Sequence, residues 1–85
     1  MTLFLIERNF AEQLEVTPEG EAAIKLVNDA VGVNWLFSFL SADKKKTYCL
    51  YEAPNADAVR EAARRANLPA DVVIEVSQLQ PAVAA

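Results

Sequence analysis

Val33-Asn34-Trp35-Leu36-Phe37-Ser38-Phe39-Leu40-Ser41 runs into the polar triplet Ala42-Asp43-Lys44 and then into Lys45-Lys46-Thr47-Tyr48-Cys49-Leu50-Tyr51-Glu52-Ala53. The two outer stretches carry the aromatic and β-branched residues that favour strands, and the triplet has turn composition. Together they predict an antiparallel hairpin. Pro54 follows at once and stops the second strand, because it lacks the N–H that a ladder needs.

Moving outward from the hairpin, Asn55 is a helix cap, and Ala58, Val59, Ala62, Ala63 and Ala66 form a stripe at helical spacing that Leu68-Pro69 closes. Val72 to Leu79 reads as a last strand and 80–85 as a frayed tail. On the other side, Gly32 stops a helix whose stripe is Ala23, Leu26, Val27, Ala30 and Val31. Thr17-Pro18-Glu19-Gly20 opens that helix with a Thr cap, a Pro at the first helical position and an acid behind it. Asn9 to Val16 has no period and reads as a connection, and Leu3 to Arg8 as the first strand. The order β-α-β-β-α-β predicts one α+β domain over residues 1–85, of the ferredoxin-like type. Its antiparallel sheet takes the strand order 4-1-3-2 and carries both helices on one face.

The chain has 85 residues, of which 53% are hydrophobic, more apolar surface than so small an interior can hold. Its net charge of −4 argues against nucleic acid and against an anionic membrane surface as partners. The apolar run Met1 to Ile6 has no basic start and is interrupted by Glu7-Arg8, too soon for a signal peptide or a spanning helix. A lone Cys49 makes no internal disulfide, so the expected compartment is the cytoplasm. There is no histidine, which removes the commonest metal ligand and general base. With only Gly20 and Gly32, no phosphate loop is possible.

Strand periodicity sorts side chains onto two faces. Phe4, Ile6, Leu36, Leu40, Tyr48, Leu50, Val72, Ile74 and Val76 form a mainly aliphatic set suited to lie under the helices. The opposite set includes Glu7, Val33, Trp35, Phe37, Phe39, Thr47, Cys49, Tyr51, Val73 and Glu75. An open face with four aromatic residues calls for a cover, and a second copy of the chain supplies one, so a homodimer through Trp35, Phe37, Phe39 and Tyr51 is expected. The same aromatics, with Glu7, Cys49 and Glu75 among them, are also how a small-molecule pocket is lined. Against these readings stand plainer ones: Cys49 as a small buried hydrophobe, Glu7 as an ion-pair partner, Glu75 as a guard against edge pairing.

Ile6-Glu7-Arg8, the stretch Gly32 to Ser38, the hairpin from Ser41 through Tyr51-Glu52-Ala53-Pro54, Ala58 to Ala63 and Leu68-Pro69-Ala70-Asp71 resemble a family of small ferredoxin-like proteins of unknown function. Its named members are nickel-binding or nickel-responsive. The resemblance covers nearly the whole chain and implies a dimeric ferredoxin-like fold and, for some members, nickel or another divalent metal. It also implies a His where this chain has Phe37, and a phenyl ring is no nickel ligand. Metal binding is therefore expected to be lost or altered, with any remaining metal resting on Glu7, Cys49 and Glu75. The expected function is that of a small dimeric binding protein. The alternatives are a small dimeric-barrel enzyme of cyclase, isomerase or monooxygenase kind, with Glu7 as general base, or a purely structural interaction module.

Overall fold

The hairpin forms as expected. In the computed structural model, which describes residues 1–81, the elements are β1 Thr2–Asn9, α1 Pro18–Val31, β2 Asn34–Leu40, β3 Lys46–Ala53, α2 Ala56–Arg65 and β4 Val72–Val76. The sheet order is β2-β3-β1-β4, which is the expected 4-1-3-2 read from the other edge, and all pairings are antiparallel. Asp43 organises the hairpin turn: its carboxylate accepts from the Ser41 hydroxyl at 2.6 Å and from the Lys45 N–H at 3.0 Å. These bonds, that from Ser41 foremost, hold the Asp43 carboxyl below its ordinary pKa.

The helix starts and stops are those of the cap residues. Thr17 Oγ1 accepts from Gly20 N–H at 3.1 Å, and Asn55 Oδ1 accepts from Ala58 N–H at 2.8 Å. Gly32 ends α1 at φ 84°, a left-handed conformation that turns the chain directly into β2. The core comprises Phe4, Ile6, Cys49, Tyr51 and Ala53 of the sheet and Val33 beside it, packed against Val59 and Ala62 of α2. The small side chains of that helix let it approach the sheet closely enough to seal Ile6 from water.

Three expectations change. The α1 stripe is displaced: Val27 and Val31 pack inward as expected, but Leu26 is 72% exposed, Ala23 and Ala30 also face water, and Ile24 and Asn28 take their place on the inner side. The last strand is shorter than expected and ends at Val76, because β1, its one ladder partner among the described residues, runs out next to it: Leu3 pairs with Val76 and the strand begins at Thr2. Of the tail read at 80–85, residues 82–85 lie outside the described residues.

The third change is the assignment of faces. Cys49, Tyr51, Thr47, Trp35 and Val73 lie under the helices, whereas Tyr48, Leu50, Val72, Ile74 and Val76 belong to the open side. β1 fixes this, since Phe4 pairs with Tyr51 and Ile6 with Cys49, and paired residues share a face. In β2 a bulge intervenes. Trp35 pairs with Tyr51, yet Phe37 pairs with Leu50, so Leu36 is the extra residue. Everything after Leu36 changes sides relative to a regular strand. Phe37 and Phe39 thereby reach the open face while Trp35 stays beneath α1.

Candidate functional site

The ladders arrange the open face in rows across the sheet. Ile74, Leu5, Leu50 and Phe37 lie side by side through the middle, and Val72, Glu7, Tyr48 and Phe39 form the next row. Phe37 and Phe39 meet edge to face at 5.6 Å and are 50% and 65% exposed. Glu7 is paired with Lys46 at 2.7 Å, and the same ammonium lies 5.6 Å from the Tyr48 ring. At the far end Asn34 Nδ2 donates to Glu52 at 3.1 Å. The apolar row thus sits between two edges whose acids already have partners.

The helix side carries a cavity of about 270 Å³ between the start of α1, the connection that precedes it and the end of β1 beside the hairpin. Leu14, Ile24, Trp35, Leu40 and Leu68 supply apolar wall, and Thr47, Cys49 and Tyr51 lie at its floor. The connection is laid along the hairpin by two backbone bonds, Phe10 N–H to Lys45 C=O at 2.8 Å and Leu14 N–H to Lys44 C=O at 2.7 Å. Trp35 is fixed in the wall by its Nε1–H, which donates to Ser38 Oγ at 2.8 Å.

Arg8 lines the same cavity. It is only 3% exposed, and its Nε and Nη1 have no hydrogen-bond partner among the described residues. Its guanidinium carbon stands 5.6 Å from the centre of the Tyr51 ring. Burial pushes the Tyr51 phenol above its ordinary pKa, against the opposing influence of the Arg8 charge, so the ring presents a neutral phenol. An arginine is seldom buried without a carboxylate or phosphate to receive its donors. The signal for it was present in the sequence: Phe4, Ile6 and Arg8 share one strand face at steps of two, and the inward series simply continues one step further.

The residues singled out from the sequence divide between these two places. Phe37 and Phe39 are on the open face, and Trp35 and Tyr51 are in the cavity wall. Glu7, Cys49 and Glu75 are not brought together. Glu7 lies on the open face, and Cys49 is buried on the helix side with its thiol 3.6 Å from Thr47 Oγ1. Glu75 stands opposite Phe4, exposed on an edge strand. Glu7 and Glu75, though on neighbouring strands, point to opposite faces, since Glu7 pairs with Val72 and not with Glu75. Among the described residues no helix is long and apolar enough to cross a membrane.

Over residues 4–76 the chain matches the family described as nickel responsive protein, SCO4226-like. The chain belongs to this SCO4226-like family. A solved structure, the crystal structure of SCO4226 from Streptomyces coelicolor A3(2), superposes with a TM-score of 0.76 at 23% identity, covering 92% of this chain and 99% of that one. That likeness shows the shared α+β ferredoxin-like fold. No curated protein matches the chain. The family's name brings nickel into question for this member, and its side chains do not fit the metal. No group of three or more His, Cys, Asp or Glu side chains placed to hold an ion occurs among the described residues, and the chain has no histidine. A softer divalent ion favours imidazole or thiolate, and here the one thiol is buried at the floor of the helix-side cavity and grouped with neither glutamate.

Proposed function

We propose that this protein is a small homodimeric binding protein that keeps the fold of its nickel-responsive family but holds no nickel through the side chains of a single protomer. The observation that carries the dimer is the row Ile74, Leu5, Leu50, Phe37, with Phe39 beside it, uncovered on an otherwise finished fold. A second copy suits this surface better than an unlike partner. In a two-fold contact each row meets its own counterpart, so apolar faces apolar, and Glu7 and Glu52 at the two edges enter with Lys46 and Asn34 already attached. The reading places the dimer in the cytoplasm, where a thiol such as Cys49 stays reduced.

The altered metal behaviour is supported by Phe37, which offers an aromatic contact where the family resemblance implies imidazole, and by the engagement of Glu7 with Lys46. That ion pair also speaks against Glu7 as a general base, because the base would have to break it first. Sedimentation of untagged protein at micromolar concentration is expected to give the mass of a dimer, and nickel analysis of the same sample less than one metal per protomer. A stable monomer overturns the pairing. Stoichiometric nickel that is lost in Glu7→Gln or Cys49→Ala overturns the metal reading.

A further inference from the structure

We infer that the cavity under α1 is a binding site for a compact organic monocarboxylate, anchored by the buried guanidinium of Arg8. This inference gives content to the reading of the chain as a binding protein, and it requires neither the dimer nor the absence of nickel.

Two independent observations meet here. One is the cavity itself, about 270 Å³ and walled largely by Leu14, Ile24, Trp35, Leu40 and Leu68. That is near the lower end of ligand pockets, which run from roughly 300 to 1,000 Å³. The other is Arg8, 3% exposed, with Nε and Nη1 unpartnered among the described residues. A buried cation with unpartnered donors is costly in an empty site, and because Nε and Nη1 have almost no accessible surface, an oxyanion in the cavity satisfies them through a shift of the Arg8 side chain toward it. Tyr51 stands against the guanidinium with its ring and its hydroxyl but supplies no counter-charge, and no salt bridge to Arg8 occurs among the described residues.

Charge and size choose the ligand class. One buried cation matches one negative charge. A phosphate dianion would need a second, and the rim carries Glu15 and Glu21, which repel extra negative charge. The space, about 270 Å³, lies at the small end of ligand pockets, so the ligand body is a single ring or a short branched chain. Its carboxylate goes to Arg8 and its apolar part lies against Trp35 and Leu14.

Trp35 is the chain's one tryptophan and lies in the cavity wall, so its fluorescence reports directly on occupancy. The full chain, untagged and reduced, is titrated with benzoate, with its neutral counterpart benzamide, and with inorganic phosphate, by fluorescence and by calorimetry. Benzoate is expected to saturate, with benzamide at least about tenfold weaker, in line with the worth of a charge-assisted bond. Arg8→Met should erase that difference while still admitting benzamide, and Arg8→Lys should keep part of it. Binding of benzoate should also fade as pH falls through the ligand's own carboxyl pKa.

Equal affinity for benzoate and benzamide in the parent protein overturns the proposal. So does a preference that survives Arg8→Met, a phosphate affinity above that for benzoate, or no saturation by benzoate up to millimolar concentration. If benzoate binds only after Glu15 and Glu21 are changed to Gln, Arg8 belongs to an internal carboxylate, and the proposal again fails. Sedimentation of the same samples keeps the two readings apart. A monomer that prefers benzoate removes the dimer and leaves this site standing, and a dimer indifferent to benzoate does the reverse.

Discussion

Arg8 puts a positive charge where the fold would otherwise place an aliphatic side chain, in line with Phe4 and Ile6. Without a ligand its two unpartnered nitrogens are a standing cost, of which the Tyr51 ring returns roughly 0.5–2 kcal/mol. Replacing the guanidinium by an uncharged chain of similar length removes both terms. Arg8→Met is therefore expected to stabilise the ligand-free protein by about 1 kcal/mol or more, seen as a higher urea midpoint with an unchanged slope. A loss of stability would show that the guanidinium already has a partner. Sequence reading reached Glu7 and passed over Arg8 because charged residues are assumed to face water, and that assumption was stronger than the period-2 rule that places Arg8 inward. Cys49 was the opposite case: its plain reading as a small buried hydrophobe matches its place in the core.

At the scale of elements, α1 is closed by a cap at each end, while much of its outer surface, Leu26 included, faces water. Thr17→Ala removes the bond to Gly20 N–H and is expected to cost about 1 kcal/mol. Gly32→Ala would place a Cβ in open space, with nothing within 4 Å, so its cost is purely that of the left-handed backbone, about 1–2 kcal/mol. Across the 14 residues of the helix the two sites are about 21 Å apart, and urea unfolding of the double variant should show the costs adding to within about 0.5 kcal/mol. Helix limits and strand order were legible because caps, turn residues and the Pro54 stop act within a few neighbours. The faces of β2 and β3 were not. Those of β3 follow from its register with β1, which sets Tyr51 beside Phe4 and Cys49 beside Ile6, and those of β2 from Leu36 being skipped in the ladder between Tyr51 and Leu50, neither of which a local pattern records.

The whole molecule has two unlike sides: a helix side that encloses a cavity, and a sheet side that ends in exposed aromatics. If the sheet side is closed by a second copy, folding and association are linked, and the melting temperature must depend on protein concentration. Phe39, 65% exposed beside the central row, is the position that tests this with least damage to the monomer. Phe39→Glu puts a carboxylate on the contact face of each copy, in the row that already holds Glu7, whose neutralising partner among the described residues is Lys46. Association should be abolished, and the melting temperature should become independent of concentration. The monomer itself should lose about 1 kcal/mol, mainly the edge-to-face contact with Phe37. Leu26→Glu, on the exposed back of α1, is the matched control: an equal change of charge at a surface 72% open that the pairing does not use. Differential scanning across a hundredfold range of concentration separates the outcomes. A parent protein whose melting temperature does not move removes the pairing, and an association broken equally by Leu26→Glu places the contact elsewhere. The aromatic face would then be left exposed in the monomer.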